Sequence, residues 1–325
     1  MLLARRDGVV VGRISAQVDH AFNDFHSTRW GMFGFLEVPD DPEAFGALLA
    51  AAEGWLREHG CDHMIGPMDF SMNDESGVLI EGFDRPPMIR QPWHPPYVQR
   101  LCEDAGLAKA IDLLTWEISI NDRPSIRPAI FEIAKRARER HGMTVRHMTR
   151  RSLRRDLDAF AEVYNSAWSG NWGFVPYSKE DLDAYALDLQ LVFDRRWFMV
   201  AENREGDVVG VAISPLDVNQ VLRRMNGRLL PLGWLDYLRR GRIIDQIRVG
   251  FLGVKPEYQH TGVATLLYLE HFDQAVTARQ THAEMGWILE TNPINKGMRA
   301  LGGRVVKRFR VYERALSPAA SSPVA

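Results

Sequence analysis

Cysteine is scarce in this 325-residue chain: Cys61 and Cys102 stand alone, in helical or helix-flanking sequence, with no C-x-x-C and no metal spacing. That speaks against a disulfide framework and suits a reducing compartment. An excess of one charge is lacking too. Lys plus Arg 40 against Asp plus Glu 42 leaves a formal −2, so no overall field gathers nucleic acid, and any basic site must be local. No run approaches the roughly 18 uncharged apolar residues of a spanning helix. The start, Met1 to Gly8, carries Arg5, Arg6 and Asp7 where a signal peptide would be apolar. The expected location is cytoplasmic. The histidines offer no metal site, because Gly60 between His59 and His63 marks a helix end.

What remains is the composition of a globular protein, 46% apolar and 25% charged, with a prior of about two domains at roughly 150 residues each. Residues 317–325 read as a disordered tail. A weak repeat organises the rest. Asp7-Gly8-Val9-Val10-Val11-Gly12 returns as Gly206-Asp207-Val208-Val209-Gly210-Val211, in each case a turn and then a β-branched strand. Gly34-Phe35-Leu36-Glu37-Val38 returns as Gly250-Phe251-Leu252-Gly253-Val254. Each copy then enters an amphipathic helix. The first opens at Asp41-Pro42-Glu43 and places Phe45, Leu48, Leu49, Trp55 and Leu56 on one face; the second opens near Gly262 and stacks Val263, Leu266 and Leu267. Another strand, a short helix ending at Gly106 or Gly302-Gly303, and a closing strand follow.

This order predicts an α/β fold with mixed, mostly antiparallel sheets flanked by helices, present twice. The expected divisions are 1–120, a linker and connecting helix over 121–142, and 143–316. The first copy lacks the leading helices (154–168 and 179–192) of the second. Gly12 to Gly34 spans 22 positions and Gly210 to Gly250 spans 40, so the second copy holds an insertion at about 221–242. The insertion carries six arginines and one aspartate among Leu222, Met225, Leu229, Leu230, Leu232, Trp234, Leu235, Tyr237 and Leu238, divided by Gly227, Pro231 and Gly233 into two short helices. Basic and apolar together suit an interfacial segment or the lip of an acyl-chain site; a helical hairpin with a solvated basic face is the alternative.

Between the second repeated strand and its helix lies Gln259-His260-Thr261-Gly262-Val263-Ala264. Successive N–H groups at a helix start, with glycine where the backbone must come close, bind phosphate. An ordinary helix start with Gly262 as a packing residue remains open on the string alone. Strand, Val254-Lys255-Pro256-Glu257-Tyr258, Gln-x-x-Gly-x-Ala and amphipathic helix together resemble motif A of the GNAT (GCN5-related N-acetyltransferase) acyltransferase superfamily. Trp287-Ile288-Leu289-Glu290-Thr291-Asn292 resembles the family's later strand. The likeness covers residues 143–316.

The resemblance implies tandem GNAT-like folds, the bacterial two-domain type, with the first half degenerate: Asp40, Asp41 and Glu43 stand where a pyrophosphate would lie. It implies acetyl-CoA or a longer acyl-CoA as substrate and an amine as acceptor. Val254, Gln259, Thr261, Gly262, Val263, Ala264, Thr265 and Asn292 would contact CoA. Where many members place an acidic tyrosine, seven residues after that asparagine, this chain has Arg299, which would stabilise a thiolate electrostatically. Glu290, at the strand end beside the expected splay, is the first choice of general base and Glu284 the second; a solvated strand-end carboxylate is the alternative for Glu290. Some acyltransferases of this kind N-acylate a long-chain base in ceramide synthesis. Leu229, Leu230, Trp234 and Leu235 would then face a lipid-like substrate, with peripheral contact at the inner face of an anionic membrane. A small-amine acetyltransferase and a catalytically silent acyl-CoA-binding protein are the other readings.

Overall fold

The computed structural model describes residues 1–316, and the expected tail lies outside the described residues. The chain opens with β1 (Leu2–Arg6) and β2 (Val9–Gln17), joined at Asp7 and Gly8, both at positive φ. That two-residue turn is the hairpin form whose twist matches the strands. Then come α1 (His20–His26), β3 (Trp30–Glu37), α2 (Pro42–Glu58), β4 (His63–Gly66), β5 (Val78–Glu81), α3 (Tyr97–Asp104) and β6 (Ala108–Ser119). After a 3₁₀ turn follow α4 (Pro128–His141), β7 (Thr144–His147), α5 (Leu153–Ala167), α6 (Lys179–Val192), β8 (Phe198–Glu202) and β9 (Val208–Ile213). The insertion forms three short helices rather than the expected two: α7 (Asn219–Arg224), α8 (Gly233–Leu238) and α9 (Arg240–Ile243). The chain ends with β10 (Gln246–Val249), β11 (Phe251–Val254), α10 (Val263–Ala275), β12 (His282–Leu289), α11 (Ile294–Ala300) and β13 (Arg304–Ala315).

Two compact units result. The first holds Met1–Leu114, Trp172–Val175 and the C-terminal stretch from Val306; the second holds Thr115–Asn171 and Pro176–Val305. In the first unit the strand order is β1-β2-β3-β4-β13-β6, with β5 also on β13. Pairing of β13 with β4 is antiparallel, Tyr312 opposite Gly66 and Ala315 opposite His63. α2 lays Phe45, Leu48, Leu49, Ala52 and Leu56 into a core with Ile14, Phe33, Met64 and Tyr312. Trp55 lies half-buried at its edge, stacked on His59.

The second unit holds an antiparallel sheet β11-β9-β8-β7, and β12 flanked by β6 and by a parallel β10. The two units are not the consecutive stretches 1–120 and 143–316, since Trp172–Val175 also falls in the first unit. Each closing strand is expected in its own half; in the structure β13 from residue 306 onward belongs to the first unit, and the end of β6, Thr115–Ser119, belongs to the second. Both strands mix apolar with charged residues after a turn, so local sequence carries no preference between sheets.

Deep in the second unit His271 is 3% exposed. Its Nδ1 lies 2.7 Å from the Leu267 carbonyl, which can only accept, so Nδ1 carries the proton and Nε2 accepts from Ser214 Oγ at 2.9 Å. Burial pushes this imidazole down to about 4. The unfolded chain takes up a proton below about 6.5 while the folded one stays neutral until about 4, so the unfolded state binds more protons between these values. Stability therefore falls as pH drops through that window, by roughly 3 kcal/mol. Urea melts of wild type and His271→Gln across this range test it: the variant should lose that slope, and an unchanged slope assigns the acid sensitivity elsewhere.

Candidate active site

The site begins with a strand that changes partners. β10 pairs in parallel with the first half of β12, from Gln246 opposite His282 to Val249 opposite Met285. At Gly250 the chain turns away, and β11 pairs only with β9, Phe251 opposite Ile213 and Val254 opposite Gly210. Gly286 to Leu289 of β12 thus run on without a β11 partner, and a splay opens between the two strands. Arg248 stabilises its apex. This side chain, 8% exposed, donates through Nε and Nη2 to the Gly286 carbonyl at 3.3 and 3.2 Å, the first peptide beyond the paired stretch. Glu284, also buried, is its register partner; a carboxylate in the paired, buried part of β12 is suited to balancing that guanidinium more than to meeting a substrate.

β11 leads through a 3₁₀ turn, Pro256–Thr261, to Gly262 and α10. Gly262 has φ +89, and a Cβ there would lie 2.9 Å from Ile133 Cγ2 and 3.1 Å from the Ile133 carbonyl oxygen on α4. Both the backbone conformation and the close approach of α4 demand glycine. No side chain caps α10, its first turn holds no acid, and its first bond runs from Leu266 N–H to the Gly262 carbonyl. The N–H groups of Val263, Ala264 and Thr265 are therefore left at the positive end of the helix dipole, as an anion site requires. Gln259 reaches back to the Val254 carbonyl and Thr261 Oγ1 to the Tyr258 carbonyl, tying the loop to the strand end.

The equivalent helix of the first unit is closed to such a ligand. Asp41 accepts from the N–H groups of Glu43 and Ala44, and Arg6 pairs with both Asp41 and Glu43. The Ala44 N–H and Arg6 hold the Asp41 carboxyl below the usual range. The protein's own carboxylate takes up the donors that an anion would need.

At the far end of the splay, Glu290 follows β12, half-buried. The turn carrying it is fixed by Asn295, a residue to which sequence reasoning gave no role. Asn295 is 6% exposed; its Nδ2 donates to the Leu289 and Glu290 carbonyls at 2.9 and 3.1 Å, and its Oδ1 accepts from Trp116 Nε1 at 2.9 Å. Arg299, exposed on α11, lays its guanidinium over the same Trp116, 5.7 Å from the ring centroid. Trp116 thus bonds the Asn295 that holds the Glu290 backbone carbonyl and also carries the Arg299 guanidinium on its face. Asn292 spends its Oδ1 on the Ile294 N–H, starting α11, and its Nδ2 has no partner among the described residues. The spacing Trp116…Asn295 crosses 179 positions, and only the fold brings them together.

An aromatic wall backs β11. Phe251 packs edge-on to Phe160 at 5.0 Å, near Tyr164, Tyr177 and Tyr185, and Trp168 stacks on Tyr164 at 5.1 Å. Trp168 covers Gly253 so closely that a Cβ there would lie 2.1 Å from the indole. Burial pushes the Tyr164 hydroxyl up, keeping it neutral. Phe251, Trp168 and Tyr177 stay half-exposed at the rim. The insertion residues lie differently from a pocket lining: Leu229, Leu230 and Trp234 are 57, 74 and 43% exposed and Leu235 half-buried, and neither α8 nor α9 buries a side chain. No layer of the described residues packs over them. No group of three or more His, Cys, Asp or Glu that could hold a metal occurs among the described residues.

A strand splayed at a glycine, an uncapped glycine-led helix start and a carboxylate at the partner strand's end make up a GNAT-type fold, and the chain belongs to the family of the bacterial ceramide synthase from Caulobacter vibrioides. It is 34% identical over 330 residues to a protein named bacterial ceramide synthase from Caulobacter vibrioides, covering 97% of this chain and 83% of that one. It is 33% identical over 319 residues to Protein YghO of Escherichia coli, covering 96% and 81%. Among solved structures, a tandem GNAT protein from the clavulanic acid biosynthesis pathway superposes with a TM-score of 0.56 at 13% identity, over 98% of this chain and 82% of that one. A GCN5-related glucosamine N-acetyltransferase region of a fungal β-N-acetylglucosaminidase gives 0.57 at 14% identity, over 96% of this chain and 32% of that one. At these identities the likeness is one of fold. No family model matches the chain.

Proposed function

We propose that the protein moves an acyl group from acyl-CoA to the amine of a long-chain, lipid-like acceptor. The observation that carries this reading is the 34% identity, across nearly the whole chain, to a protein named for ceramide synthesis. The aromatic wall along β11 supports it, because an apolar acceptor finds cover there that a small polar amine does not need.

An acceptor amine with a pKa near 10 is only about one part in a thousand neutral at pH 7. In the proposed mechanism the Glu290 carboxylate takes its proton, directly or through a water, as nitrogen attacks the thioester carbonyl. A backbone N–H near Val254 stabilises the developing oxyanion. As the carbon–sulfur bond breaks, the nitrogen gives up its second proton to the departing sulfur, the Arg299 guanidinium stabilising the negative charge that develops there, and the amide and CoA thiol remain. The N–H groups of Thr261, Gly262, Val263, Ala264 and Thr265, with Gln259, hold the pyrophosphate, and Asn292 Nδ2 contacts the arm. Asn295 is a positioning residue, acting through the Glu290 carbonyl.

Release of CoA thiol, measured with donors from acetyl-CoA to palmitoyl-CoA against small amines and long-chain amino alcohols, tests the reading. Turnover should be highest with a long-chain amino alcohol. A preference for small amines with acetyl-CoA would make the protein a small-amine acetyltransferase, and no release with any pair would leave an acyl-CoA-binding protein.

A further inference from the structure

The insertion is the part of the protein that the acyl-transfer chemistry leaves unexplained. Six of the fourteen exposed large hydrophobics among the described residues fall within Leu222–Leu238: Leu222, Leu229, Leu230, Leu232, Trp234 and Leu238. A helical layer ordinarily buries one face, yet α8 and α9 bury nothing and α7 buries only Val221. The same surface carries the insertion's arginines. Arg224 pairs with Asp236 at 3.4 Å and Arg240 stacks on Tyr237 at 4.7 Å. Arg223, Arg228, Arg239 and Arg242 are exposed and meet no carboxylate among the described residues. Four unpaired cations interleaved with bare leucines need a partner that is both anionic and apolar.

We infer that this surface docks the protein on an anionic phospholipid bilayer, the leucines and Trp234 entering the headgroup boundary and the arginines meeting lipid phosphates. Trp234 suits the boundary: its Nε1 already donates to the Pro231 carbonyl at 3.0 Å, so the ring enters without an unmet donor. A second copy of the chain fits less well, since a two-fold contact would set the same arginines against one another. With a formal net charge of −2 the molecule as a whole is not drawn to an anionic surface, so attraction must come from this segment. No helix of the described residues is long and apolar enough to cross a membrane, which leaves attachment in the plane of the surface. The inference stands on the insertion's own surface and survives even if the acceptor proves to be a small amine.

The intact protein is mixed with vesicles of neutral phosphatidylcholine, or of the same lipid with about one third phosphatidylglycerol, and sedimented. Binding is expected to the anionic vesicles and to weaken with salt. Replacing Arg223, Arg228 and Arg239 by alanine should weaken it by about 100-fold, near fivefold per charge. Replacing Leu229, Leu230 and Leu232 by serine should leave low-salt capture and abolish binding at high salt. All six side chains are exposed, so unchanged melting curves show that the fold persists. A polarity-sensitive dye on Leu230→Cys reads depth directly, because Cys61 and Cys102 are buried and escape labelling; its emission should shift to the blue on anionic vesicles alone. Equal binding to both vesicle types, or binding untouched by either triple variant, would overturn the inference. So would concentration-dependent dimerisation that the leucine variant abolishes without any vesicle binding.

Discussion

Glu290→Gln is expected to lower turnover at pH 7 by about 10²- to 10⁴-fold, the contribution of a positioned general base. The loss should shrink as pH rises toward the acceptor's own pKa near 10, because the amine then deprotonates without help. Glutamine keeps the size of the side chain and leaves the backbone carbonyl on Asn295 Nδ2, so the turn itself is retained. The shape of the pH profile is decisive: a base acts through a proton and its loss is pH-dependent, whereas a side chain that merely holds the β12–α11 turn would cost the same at every pH. Steady-state kinetics from pH 6 to 10, with CoA affinity measured alongside, distinguish the two.

Ala264→Glu should weaken CoA binding by roughly 100-fold. A carboxylate about 5 Å from a pyrophosphate charge costs on the order of 3 kcal/mol at an effective dielectric near 20. An acid in the first turn of a helix favours the helix itself, and Ala264 is half-buried at the uncapped start of α10, so the fold should tolerate it. This separates binding from folding in a way Gly262 cannot, because any side chain at Gly262 collides with Ile133 on α4 and is strained at φ +89. Isothermal titration with CoA measures the effect. Unchanged affinity in Ala264→Glu would remove the helix start from the cofactor site, whatever the variant's activity.

The first unit shows how much one carboxylate decides. Its helix has the same place in the repeat as α10, and Asp41-Pro42-Glu43 in the sequence already marks a start satisfied from within; the structure adds that Asp41 takes the Glu43 and Ala44 donors. Local signals of this kind were legible because their causes are local. The turn at Asp7-Gly8, the N-terminal proline of α2 and the 3.6-residue spacing of Leu266 and Leu267 with Val263 each depend on a few neighbouring residues. So did the glycine-led loop at Gly262, whose backbone conformation only glycine adopts freely.

What sequence by itself determined is therefore the repeated order of elements, the loop at Gly262 and the place of Glu290 at the end of β12. Tertiary structure alone decided which unit each closing strand joins, because the mixed apolar and charged patterns of β6 and β13 select neither sheet. It also decided that Asn295 and Trp116 set the Glu290 turn, a hydrogen bond across 179 positions, and that Arg248 bonds the Gly286 carbonyl, just past the end of the β10 pairing. The insertion's leucines could be read as buried or bare from composition alone. Only packing distinguishes these, since hydrophobicity says that a side chain favours leaving water and not what will cover it.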